Sequence, residues 1–87
     1  MKFEDHFIAT KDRFSVGQES DTGKYFVSIP VSNGMVEYNE YYEISREEFD
    51  AFTLVLSPMK ALVEKCRERT NDANLIIQPG AKRGVAV

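Results

Sequence analysis

The stretch KYFVSIPVSNGMVEYNEYYEI, residues 24–44, decides the fold. Two runs of alternating apolar and polar residues flank Asn33-Gly34, a pair that tolerates the positive φ of a tight turn, and the reading is a β-hairpin. A loop centred on that pair sets Val31 opposite Val36, Ile29 opposite Tyr38, Val27 opposite Glu40 and Tyr25 opposite Tyr42 on one face. The other face then pairs Pro30 with Glu37, Ser28 with Asn39, Phe26 with Tyr41 and Lys24 with Glu43. This register collects Tyr25, Val27, Ile29, Val31, Val36, Tyr38, Tyr42 and Ile44 on one side and ends on an opposite-charge pair. Pro30 has no N–H to give, so a four-residue loop, Ser32 to Met35, is expected: it keeps the pairing and turns the proline away from the ladder.

Working outward on the N-terminal side, Phe14 to Glu19 alternates and is followed by the turn cluster Ser20-Asp21-Thr22-Gly23. The spacing places Glu19 opposite Lys24, Gln18 opposite Tyr25, Gly17 beside Phe26, Val16 opposite Val27 and Phe14 opposite Ile29. The apolar members fall on the face the hairpin selects independently, so an antiparallel meander of three strands is expected. Residues 1–12 carry two readings. Phe3 and Phe7 have helical spacing, whereas His6 to Thr10 suits a short edge strand. His6, the single histidine, reads as a surface or packing residue rather than a catalytic base.

On the C-terminal side the period changes. Ser45 with Glu48 has capping-box spacing, and Glu47, Glu48 and Asp50 suit the positive end of a helix dipole. The stripe Phe49, Phe52, Leu56, Met59, Val63 and Cys66, with Leu62 beside it, runs in phase through Ser57-Pro58. Two arrangements compete: one helix from about Arg46 to Thr70 bent at Pro58, or two shorter helices meeting there. The unbroken phase favours the long, kinked or nearly continuous form. About 24 helical residues rise ~36 Å, enough to recross the sheet and return Leu75 to Gln78 as a short fourth strand parallel to the third. Residues 79–87, with glycines flanking Lys82-Arg83, read as a mobile tail. The expected fold is thus a single α+β domain over residues 1–87: a three-stranded antiparallel meander plus a short fourth strand, packed on one face by a long, Pro58-kinked C-terminal helix.

Composition bounds the function. With 43% hydrophobic and 29% charged residues the chain has an ordinary globular make-up, and no apolar run approaches the ~20 residues of a membrane span. The start Met1-Lys2-Phe3-Glu4-Asp5 lacks the apolar centre of a signal peptide, so a soluble cytoplasmic protein is expected. Cys66 is the single cysteine, which excludes a disulfide framework and a multi-cysteine zinc site, and its place on the helix stripe reads as a buried structural thiol. The net charge of −3 disfavours nonspecific contact with nucleic-acid phosphates.

Three features stand out. Glu40 falls on the apolar face, where a carboxylate needs a partner or a reason to sit at the sheet's edge. Phe26 and Tyr41 pair on the opposite face near Met35, with Glu37 and Glu43 at the rim, which suits a protein partner. Lys82 and Arg83 between glycines form a weak phosphate or nucleic-acid motif, which Arg67 and Arg69 would have to join on one face. No constellation of nucleophile, base and acid and no cofactor or metal motif is present in the sequence, so a non-enzymatic protein is expected. The reading is a protein–protein association module, a homodimer or accessory subunit, using Phe26, Tyr41, Met35, Glu37 and Glu43. The alternatives are an acidic inhibitor or immunity-type protein whose Glu37, Glu43, Glu47, Glu48 and Asp50 meet a basic partner, and a nucleic-acid-binding protein.

Overall fold

The structure, a computed structural model, describes residues 2–52, 57–77 and 83–86. Its frame is an antiparallel sheet of four consecutive strands, β1 (Phe3–Ala9), β2 (Phe14–Glu19), β3 (Tyr25–Ser32) and β4 (Glu37–Ile44), in the order β1-β2-β3-β4. A fifth strand, β5 (Val85–Ala86), pairs with Val31 and Ser32 of β3. Since β4 occupies one edge of β3 along its whole length, β5 lies on the other edge, beyond the point where β2 stops at Ser15↔Ser28.

The β2–β3 register agrees with the expectation: Val16↔Val27, Gly17↔Phe26 and Gln18↔Tyr25. The β3–β4 register differs by two residues, with Val31 opposite Tyr38, Ile29 opposite Glu40, Val27 opposite Tyr42 and Tyr25 opposite Ile44. The cause is in the turn. Asn33 Oδ1 accepts from the amides of Met35 and Val36, and Ser32 Oγ accepts from the Gly34 amide, so the loop runs from Asn33 to Val36 with Gly34 at φ +88°. Val36 therefore leaves the sheet, while the faces themselves are unchanged because a shift of two preserves side-chain parity.

Two short helices, α1 (Arg46–Phe52) and α2 (Ser57–Arg67), replace the expected long C-terminal helix. Pro58 is the second residue of α2, where its missing N–H leaves no intrahelical bond unmade. The capping box forms as expected: Glu48 N donates to Ser45 Oγ at 3.0 Å and Ser45 N to Glu48 Oε1 at 2.9 Å. Phe49 and Phe52 of α1 meet Tyr25, His6 and Phe7 at one end of the sheet while Met59, Val63 and Cys66 of α2 enter the central core. Leu56 of the expected stripe lies outside the described residues. The expected fourth strand is not formed either. A 3-10 turn at Asp72–Asn74 delivers Leu75 to a single antiparallel bridge with Tyr42, and Ile76 N donates to Tyr41 O at 2.8 Å. Gln78, the end of that expected strand, is outside the described residues.

The N-terminal segment is a strand with a bulge. Asp5 pairs with Gly17 and Phe7 with Val16, so one extra residue, His6, interrupts the ladder. Phe3 and Phe7 thereby turn to opposite faces, although residues four apart in a regular strand would share one. The N-terminal half of β1 also crosses close over β2: a Cβ on Gly17 would run into the Glu4 carbonyl.

Candidate functional site

The helix-covered face of the sheet buries Phe14, Val16, Val27, Ile29, Val31, Tyr42 and Ile44 together with Met59, Val63, Cys66 and Leu75. Glu40 sits among them at 6% exposure. Its partner comes from the C-terminal tail. Arg83 Nε donates to Glu40 Oε2 at 2.7 Å and Nη2 to Oε1 at 3.1 Å, while Nη1 and Nη2 reach Asp72 Oδ2 and Oδ1 at 2.7 and 2.9 Å. The Tyr42 hydroxyl adds a bond to Glu40 Oε1 at 2.9 Å. One guanidinium thus serves two carboxylates on both its edges, the planar match for which arginine is suited.

The electrostatics of this cluster are set by that pairing. Hydrogen bonds from Arg83 hold Asp72 below the usual carboxylate range, and those to Asp72 and Glu40 in turn keep the guanidinium charged. Burial, with Glu40 adjoining, pushes the Tyr42 phenol above its usual value. Burial likewise raises the Cys66 thiol, whose Sγ accepts from Asn71 Nδ2 at 3.5 Å. These shifts keep Asp72 ionised and Tyr42 neutral near pH 7, so the cluster works as a clamp on the tail. Its neighbours extend the clamp: Gly84 N donates to Tyr38 Oη at 2.6 Å, Arg69 Nη2 donates to Gly84 O at 2.7 Å, and a Cβ on Gly84 would lie 2.6 Å from the Ser32 carbonyl carbon. Arg83 to Ala86, within the stretch expected to be mobile, are fastened at these points.

On the outer face, Phe26 is 0% exposed. Phe3 covers it edge-on with centroids 5.3 Å apart and stacks on Tyr41 at 3.7 Å and 14°. The aromatic pair expected to meet a partner is therefore closed over by the bent N-terminal strand, with Tyr41 half-buried beside it. Below this corner Glu19, fully buried, accepts from the Asp21 and Thr22 amides and the Thr22 hydroxyl; the Thr22 amide is the main reason its carboxyl lies below the usual range. Met35 and Glu37 remain exposed at the hairpin tip, and Glu43 pairs with Lys24 at 3.6 Å.

Each cation of the nucleic-acid reading that is described is engaged. Arg67 binds Glu64 and the Asp12 carbonyl, Arg69 holds Gly84 and Arg83 holds Glu40 and Asp72; Lys82 lies outside the described residues. Of the acidic set, Glu48 is used in the cap and Asp50 lies 3.7 Å from Arg46. Among the described residues no helix is long and apolar enough to cross a membrane, and no group of three or more histidine, cysteine or acidic side chains is arranged to hold a metal ion.

No protein-family model, curated protein or solved structure matches this chain. Sequence reasoning singled out Glu40 but missed its partner, which is 43 positions away and whose signal was only the need of a buried carboxylate for a cation. It also passed over Arg13 and Ser28. The one mark on Arg13, a positive φ of 55°, is a backbone property invisible in the sequence.

Proposed function

We propose that the protein is a protein–protein association module that pairs with a second copy of itself through the corner where the hairpin tip meets β5. The observation that supports this is the exposure of three apolar side chains there: Met35 at 78%, Val36 at 58% and Val85 at 61%. Ser32 joins them, pairing with Val85 on one side and Glu37 on the other, immediately before the Asn33–Val36 loop. The corner is held in place by the side-chain bonds of Asn33 and Ser32 and by the tail clamp, so little order has to be gained on contact. Covering a valine or methionine fully is worth roughly 1.5–3 kcal/mol, and a two-fold contact uses each residue twice. Glu37 supplies a polar rim.

Light scattering on the intact protein and on a Met35→Ser, Val85→Ser variant tests this reading. A dimer that becomes a monomer in the variant is expected, and Tyr41→Ser, on the covered aromatic corner, leaves the mass unchanged. An intact protein that stays monomeric up to roughly millimolar concentration overturns the self-association reading.

A further inference from the structure

Between the covered aromatic corner and the hairpin tip, the outer face holds a cleft of about 320 Å³. Ile8 and Pro30 contribute apolar wall, while Thr10, Ser15, Ser28 and Asn39 contribute hydroxyls and an amide. Arg13 contributes the only charged side chain among the lining residues. Along β3 the cleft ends at Pro30, two residues and about 7 Å short of Ser32 in the association corner at the usual strand rise.

Two independent observations mark it as more than a surface dip. Ser28 is only 4% exposed, and the surface it keeps lines the cleft, where its hydroxyl can both donate and accept. Arg13, for its part, closes the β1–β2 turn at φ +55°, a conformation that suits glycine and costs a residue with a Cβ free energy. The turn is fixed in that shape from the other face of the sheet. Arg67 of α2 donates to the carbonyls of Asp12 and Arg13, and Lys60 reaches Asp12 Oδ2 at 3.4 Å. The Arg13 side chain is itself exposed and lines the cleft.

We propose that this cleft is a binding site for a small organic carboxylate, with the anionic group on Arg13 and Ser28 and the apolar body against Ile8 and Pro30. The charge count selects the class. One guanidinium with neutral hydroxyl and amide donors matches a single negative charge spread over two oxygens, whereas a phosphate dianion would bring a second charge into a chain that already carries −3. The volume is at the lower end of small-molecule sites, which limits the body to a ring or short chain.

The test is an amide-shift titration of the full chain with benzoate at constant ionic strength, with inorganic phosphate as a second arm. Benzoate should give saturable shifts at Thr10 to Ser15 and at Ser28, and phosphate should bind more weakly. Arg13→Gly should weaken benzoate at least about tenfold while leaving the melting temperature unchanged or raised, because glycine relieves the positive φ. Ser28→Ala should weaken it by a smaller factor with the shifts still centred on the turn. Benzoate shifts that do not saturate, affinity that survives in Arg13→Gly, or phosphate binding as tight as benzoate would each overturn the assignment.

Discussion

The two ends of this chain are fastened to the same sheet by different physics. The N-terminal strand is held by apolar contact: Phe3 stacks on Tyr41 and stands edge-on to Phe26, and the missing Cβ of Gly17 lets the Glu4 backbone come down onto the sheet. The C-terminal tail is held by polar contact: Arg83 between Glu40 and Asp72, with Gly84 bonded to Tyr38 and Arg69. The first kind of fastening loses free energy in proportion to the surface uncovered. The second is asymmetric, because removing one partner strands the others in a buried place. The comparison therefore predicts different responses to mutation and to acid.

The largest effect is expected at Arg83. Arg83→Met leaves Glu40, 6% exposed, without its cation, and urea denaturation should show a loss of about 3–5 kcal/mol. A second substitution sharpens the point. Glu40→Gln in the Arg83→Met background removes the stranded charge yet keeps an acceptor for Tyr42, and should recover at least about half of the loss. A double variant as unstable as the single one would mean that the tail's backbone contacts, rather than the buried charge, carry the effect.

A smaller loss is expected at the other end. Phe3 is only half-buried, so Phe3→Ala should cost about 2 kcal/mol, less than the ~3–5 kcal/mol of a fully buried phenylalanine. Gly17→Ala should cost about 1–3 kcal/mol, since its Cβ meets backbone that cannot rotate away. The two should not add, because either one releases the same strand from the same corner. Additive losses would show that Gly17 acts on the β2–β3 pairing instead.

What could be read from the sequence follows the same division between local and distant causes. The β2–β3 register was legible because Glu19 and Lys24 close the turn between them, with Glu19 N bonded to Lys24 O at 2.8 Å. The hairpin's faces were legible too, but its register was not: alternation is blind to a shift of two, and the side chains of Ser32 and Asn33 place the turn at Asn33–Val36. The helix stripe was likewise blind to the choice between one helix and two, since two helices can share one phase, and Pro58 is the second residue of α2. Phe3 and Phe7 misled through their spacing because the bulge at His6 reverses parity between them. Of the sites, Phe26 and Tyr41 were correctly placed on the outer face, yet the residue that covers them lies on a strand whose bend depends on contacts with Gly17.

The smallest effect expected is also the one that separates the two fastenings most cleanly. Asp72 has a lower pKa in the folded protein than its ordinary value, because of its bonds to Arg83. A carboxyl of this kind contributes stability that is present above the unfolded pKa near 4 and is lost as pH falls through the folded value. Acid therefore removes part of what Arg83 supplies, so the stability gap between the intact protein and Arg83→Met should narrow as pH falls from 7 towards 3. Phe3 carries no charge, and the gap between the intact protein and Phe3→Ala should hold constant over the same range. Glu19 pairs with Phe3 across β1 and β2, but it is held by the Asp21 and Thr22 amides, which neither substitution removes, so its own acid loss cancels from both differences. Urea midpoints at three pH values would decide it: a gap for Arg83→Met that stays constant with pH would remove the ion pairs as the cause of the tail's attachment and leave its backbone bonds to Tyr38 and Arg69 to account for it.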